Sequence, residues 1–117
     1  MIVLADDDRS MREALTTALE AHGFEVVGAS SGAEAIELAS RKRADAVISD
    51  ISMPDGTGLD VLSALSERGD EIPVIVVSGH AETQVRDAAL AAGAAAYLVK
   101  PIGVGELIRV LDATLRI

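Results

Sequence analysis

The chain has 117 residues, half of them hydrophobic and a quarter charged, which suffices for one packed domain and is too few for two ordinary ones. Ten basic residues against nineteen acidic ones leave a net charge of −9, so a broad surface for nucleic-acid phosphates is excluded and no nucleic-acid partner is expected. The absence of cysteine removes disulfides, thiolate metal centres and cysteine nucleophiles, and any metal would be held by oxygen.

Apolar runs such as Val74 to Val77 fall far short of the ~20 residues that cross a bilayer. No basic region followed by a signal-like apolar stretch opens the chain, so a cytoplasmic domain with no membrane partner is expected.

Ile2 to Ala5 is a short apolar run that predicts a strand, and Met11, Ala14, Leu15, Ala18 and Leu19 then share one face of a helix closed by Gly23 after His22. Phe24 to Ala29 predicts a second strand, and Ser31 with Glu34 has the spacing of a capping box for a second helix. Ala46 to Ser49 predicts a third strand; a turn-rich stretch from Ile51 to Gly58 leads to a helix carrying Leu59, Leu62 and Leu65. Val74 to Val77, β-branched throughout, is the fourth strand, followed by a helix with Val85, Ala88, Ala89 and Ala92 on its apolar side and Gly93 at its end. Ala95 to Val99 makes a fifth strand, and beyond Pro101 a last helix carries Val104, Leu107, Ile108, Leu111 and Leu115.

Five βα units whose strands are apolar without alternation indicate a parallel sheet covered on both faces, a doubly wound α/β domain spanning residues 1–117. Periodicity does not fix the strand order, but five units of this length suit 2-1-3-4-5.

Ligands of such sheets bind beyond the carboxyl ends of the strands. There the first strand ends at Asp6-Asp7-Asp8, the third at Asp50, the fourth at Ser78 and the fifth at Lys100. Carboxylates brought together repel one another and invite a hard cation such as Mg²⁺, which keeps ligand positions open for a phosphoryl oxygen. Lys100 would balance a carboxylate or a phosphoryl group, Ser78 would donate its hydroxyl, and a carboxylate here can be the nucleophile that forms an aspartyl phosphate. Each group has an ordinary alternative: Asp8 as a solvated charge favourable to a helix N-terminus, Asp50 as a helix cap or turn residue, Ser78 as a cap of the fourth helix, Lys100 as a snorkelling surface lysine. Polar groups at four strand ends together favour the functional reading. Neither a G-x-G-x-x-G nor a G-x-x-x-x-G-K-[ST] nucleotide cradle is present. His22 reads as a helix C-terminal residue.

Asp6-Asp7, Ser49-Asp50 with Met53-Pro54 and Gly58, Ser78-Gly79 and Lys100-Pro101 occur in one order and spacing, and on these residues the chain resembles the receiver domain of two-component response regulators over essentially its whole length. The resemblance implies a CheY-like, flavodoxin-like fold and a cis Lys100-Pro101 bond. It implies Asp50 as phosphoacceptor, with Mg²⁺ held by Asp7, Asp50 and the Ser52 carbonyl, and by Asp6 through water. Lys100 and Ser78 assist transfer, and Ser78 with Tyr97 forms the switch that alters the surface of the fourth helix, fifth strand and fifth helix. Ser52 and His80 stand at the variable positions that tune phosphate lifetime. The implied partners are a histidine kinase or phosphotransfer protein and an output domain or downstream protein; separately, apolar or alanine surface on the fourth helix would permit a homodimer.

Two features depart from the common pattern: serine at 78 in place of threonine, and Ile102 where phenylalanine is frequent. An aspartate-nucleophile phosphatase would use the same groups, but Asp50-Ile51-Ser52 lacks the second aspartate of that chemistry. A receiver-like interaction module that works without phosphorylation is the other alternative.

Overall fold

The computed structural model describes residues 1–53, 56–69, 71–79 and 83–115. Five strands, β1 (Ile2–Ala5), β2 (Val26–Ala29), β3 (Ala46–Asp50), β4 (Val74–Ser78) and β5 (Ala96–Val99), form one parallel sheet in the order β2-β1-β3-β4-β5. The helices are α1 (Arg9–Ala21), α2 (Gly32–Lys42), α3 (Gly58–Glu67), α4 (Thr83–Ala91) and α5 (Val104–Leu115). None of the described helices is long and apolar enough to cross a membrane.

Side chains alternate across a strand, so an all-apolar strand must be covered on both sides. Ile2 and Leu4 of β1, Ala46 and Ile48 of β3, and Ile75 and Val77 of β4 pack with Leu15 and Leu19 of α1 and Leu107 and Leu111 of α5. The intervening Val3, Ala5, Val47, Val74 and Val76 pack with Ala35 and Ala39 of α2, Val61, Leu62 and Leu65 of α3, and Ala89 of α4. Two cores result, one on each face of the sheet.

Local chemistry sets the helix ends. Asp8 caps α1 by accepting from the Met11 N–H at 3.2 Å, a more specific bond than the dipole-favourable charge expected of it. Ser31 caps α2 through the Glu34 N–H at 3.2 Å, but the Glu34 carboxylate reaches the Ser30 hydroxyl at 3.2 Å, one residue earlier than a capping box expects. Gly23 and Gly93 follow α1 and α4 with positive φ of 90° and 104°, backbone that glycine adopts freely.

Several sequence expectations need correction. Phe24 and Ala95 lie just outside their strands, while β3 and β4 each run one residue further, to Asp50 and Ser78. The stretch after Ile51 contains a two-stranded antiparallel ribbon pairing Ser52 with Thr57 and Met53 with Gly56, where turns alone were expected. Ala14 and Ala88 are exposed, and Val104 is 36% exposed. These residues fit the helical period, but alanine contributes little apolar area and Val104 stands in the first turn of α5, at the rim of the core.

Candidate functional site

Parallel pairing in register aligns the strand ends along one edge. Ala5 pairs with Ser49 and Asp50 with Val77, while Ser78 pairs with Val99. One step beyond the first pair, Asp6 and Asp50 stand side by side on neighbouring strands. Lys100 follows β5 directly, its N–H donating to the Ser78 carbonyl at 2.7 Å.

Asp6, Asp50 and Ser78 are buried, at 3%, 8% and 0% exposure, whereas Asp7 is exposed. One carboxylate oxygen from each of Asp6, Asp7 and Asp50 lies within 4.8 Å of the others. The Lys100 ammonium donates to Asp50 Oδ2 at 2.6 Å and lies 3.5 Å from Asp6 Oδ2. Asp6 Oδ1 accepts from the Asp8 N–H at 2.9 Å, and the Arg12 guanidinium donates to the Asp6 main-chain oxygen at 2.6 Å. The Ser49 hydroxyl is turned onto the Asp50 carbonyl at 3.1 Å.

These surroundings shift two groups. Burial pushes the Asp6 carboxyl above its ordinary 3.8, and the charge of Asp50 adds to this against the opposing Asp8 N–H and Lys100 ammonium. Burial works to lower the Lys100 ammonium, but its hydrogen bond to Asp50 and the charges of Asp50 and Asp6 outweigh that and raise it above 10.5. Lys100 is therefore held charged among carboxylates that exceed it in number.

The donor set suits a hard divalent cation: three carboxylates from two strand ends, with oxygen ligands alone. The raised Asp6 carboxyl follows first from burial, with the Asp50 charge a smaller contribution, so the fit to a cation rests on the oxygen donor set itself.

The structure thus brings Asp6, Asp7, Asp50 and Lys100 together and sets Ser78 at the end of the intervening strand. The described part of α4 begins at Thr83. The Lys100-Pro101 bond is cis, as expected. Ser52 opens the short ribbon two residues after Asp50, and His80 lies outside the described residues. Tyr97 is half-buried against the core on the α2, α3 and α4 side, and it lines a groove with Arg86, Val99, Glu106 and Val110. Sequence reading passed over Arg12, which looks like any solvated helix residue. Its one signal was Gly28 within an otherwise strand-forming run.

A five-stranded parallel sheet in this order, with an acidic cluster and a lysine on its carboxyl edge, defines a doubly wound α/β domain with an oxygen-rich site at one end of its sheet. The chain belongs to the response regulator receiver domain family, whose profile matches residues 2–112, and so to two-component signalling. Response regulator MprA of Mycobacterium leprae (strain TN) is 40% identical over 115 residues, covering 98% of this chain and 50% of that protein. The chain spans about half the length of the curated relatives it matches.

Solved structures agree on the fold. A response regulator receiver domain protein from Clostridium thermocellum superposes with a TM-score of 0.91 at 28% identity, over 97% of this chain and 92% of the other. Chemotaxis protein CheY4 of Vibrio cholerae gives a TM-score of 0.91 at 29% identity, over 97% of both chains.

Proposed function

We propose that residues 1–117 act as a single phosphoacceptor domain in which Asp50 receives a phosphoryl group from a phosphohistidine, on a histidine kinase or a phosphotransfer protein, and releases it again by hydrolysis. The observation that carries this reading is the Lys100 ammonium seated 2.6 Å from Asp50 within a cluster of three carboxylates. In the transfer, an Asp50 carboxylate oxygen forms a bond to phosphorus as the P–N bond breaks and its electron pair returns to the imidazole nitrogen. Lys100 stabilises the transferring charge as a point cation, and Ser78 donates its hydroxyl to a phosphoryl oxygen. The domain thus assists its own phosphorylation without turning over a substrate as an enzyme does.

Asp7, Asp50 and the Ser52 carbonyl would hold Mg²⁺, with Asp6 acting through water; when bound, the cation supplies charge neutralisation for the phosphoryl oxygens. Ser52 and His80 tune how long the phosphate lasts.

Charge on Asp50 then biases Ser78 and Tyr97 between two packings. The readout is the surface of α4, β5 and α5, where Leu90, Val99 and Val104 are exposed at 40%, 37% and 36%. An output domain, a downstream protein or a second copy of the chain would meet it there, in the cytoplasm.

Incubation with Mg²⁺ and acetyl phosphate tests this directly by intact-mass spectrometry. One phosphoryl increment on the wild-type chain, absent from Asp50→Asn, is expected; an increment that persists in Asp50→Asn overturns the assignment.

A further inference from the structure

We propose that Arg12 is a positioning residue for the acidic end of this site, an inference that rests on the phosphoacceptor reading above. Its guanidinium donates to the Asp6 carbonyl at 2.6 Å from a half-buried place on the first turn of α1. From the other side, Asp6 Oδ1 accepts the Asp8 N–H at 2.9 Å, and Asp8 caps the same helix. The turn that carries Asp7 is thereby held at both of its flanks. Asp7 itself is exposed, and the two part-buried hydrogen bonds on either side of it set where its carboxylate stands relative to Asp6 and Asp50.

Gly28 provides the space for this. It pairs with Leu4 in the edge strand β2, and a Cβ there would come within 3.1 Å of Arg12 Cδ and 3.4 Å of both Cγ and Nε. A side chain there would require the Arg12 stem to give by a few tenths of an ångström. The pair Gly28 and Arg12 therefore acts as one unit: the bare strand backbone is the bed along which the arginine extends.

Positioning and charge make opposite predictions for metal binding. Arg12 is a cation near an acidic cluster, so by charge alone its removal would tighten Mg²⁺ binding. If it acts by holding the Asp6 to Asp8 turn, its removal loosens a ligand and weakens binding. Loss of a group that orients a metal ligand commonly costs about tenfold in affinity.

The test measures Mg²⁺ affinity by calorimetric titration, together with the acetyl phosphate reaction, which needs no kinase. Arg12→Met keeps the stem without the donor and is expected to weaken Mg²⁺ binding by about tenfold. Arg12→Lys, which restores a cationic donor, is expected to recover part of the loss, and Gly28→Ala to weaken binding in the same direction with Arg12 intact. Thermal melts without Mg²⁺ confirm that each variant folds. Affinity in Arg12→Met that equals or exceeds wild type overturns the positioning role and leaves Asp50 as phosphoacceptor untouched. Wild-type protein that takes up neither Mg²⁺ nor a phosphoryl group removes both readings together.

Discussion

The Lys100 ammonium and the Asp50 carboxylate meet at 2.6 Å although their strands are not neighbours: β4 lies between them. The lysine stem spans the end of β4, where Ser78 is buried, and delivers a cation to the centre of the edge. A flexible four-carbon stem permits that reach and leaves the ammonium able to follow charge from a carboxylate to a phosphoryl group.

Lys100→Met should therefore strip the cluster of its nearby cation. Breaking an ion pair at this partial burial is expected to cost about 1–3 kcal/mol of folding stability. Mg²⁺ should then raise the melting temperature more in Lys100→Met than in wild type, because the metal becomes the main counter-charge. Thermal melts of both proteins with and without Mg²⁺ check this, and an equal rise in the two would count against the shared role of lysine and metal.

Magnesium itself should stabilise the wild-type domain. At a concentration ~10 times its dissociation constant, a ligand specific for the folded state adds ~1.4 kcal/mol. Asp7→Asn should lose most of this gain, and chelation of Mg²⁺ should return the wild-type melting temperature to its starting value.

The raised Asp6 carboxyl has a definite sign in a pH titration. Its folded pKa lies above the unfolded value of 3.8, so between the two the folded state binds more protons and the group's contribution to stability improves as pH falls. Asp6→Asn lacks this dependence. Metal-free urea unfolding of the two proteins should show the Asp6→Asn stability minus the wild-type stability shrinking as pH drops from neutral toward 3.8. Lys100 has the opposite edge: its raised ammonium contributes stability that is complete below 10.5 and is lost as pH climbs through the folded pKa.

Away from the site, Arg43 closes α2 at φ 51° and ψ 59°, with its N–H bonded to the Ala39 carbonyl. A side chain in this left-handed backbone is disfavoured by about 1–2 kcal/mol. Arg43→Gly is expected to raise stability by ~1 kcal/mol in urea unfolding, with the acetyl phosphate reaction unchanged.

The fold and most of the site were legible because strand ends and chemistry coincide. Val74 to Val77, β-branched throughout, reads as a strand buried on both faces, and the polar residue that stops such a run is carried to the edge of the sheet. Asp6, Asp50 and Lys100 were found in this way, and the structure brings them together. Arg12 was not, because its partner is a main-chain oxygen and no pattern of side-chain types announces such a bond. The ribbon after Ile51 was hidden for a related reason: a two-residue strand holds a single repeat and shows no alternation. On α4, Ala88 matched the helical spacing and still faces solvent, since alanine is compatible with either side of a helix.

Asp6, Asp50, Ser78 and Lys100 are all supplied by the ends of hydrogen-bonded strands or by the residues just beyond them. The outward sides of the helices add no atom to that group. Substitutions there leave that constellation in place, so on the proposed reading the outer surface is free to vary while the chemistry at the sheet edge keeps its geometry.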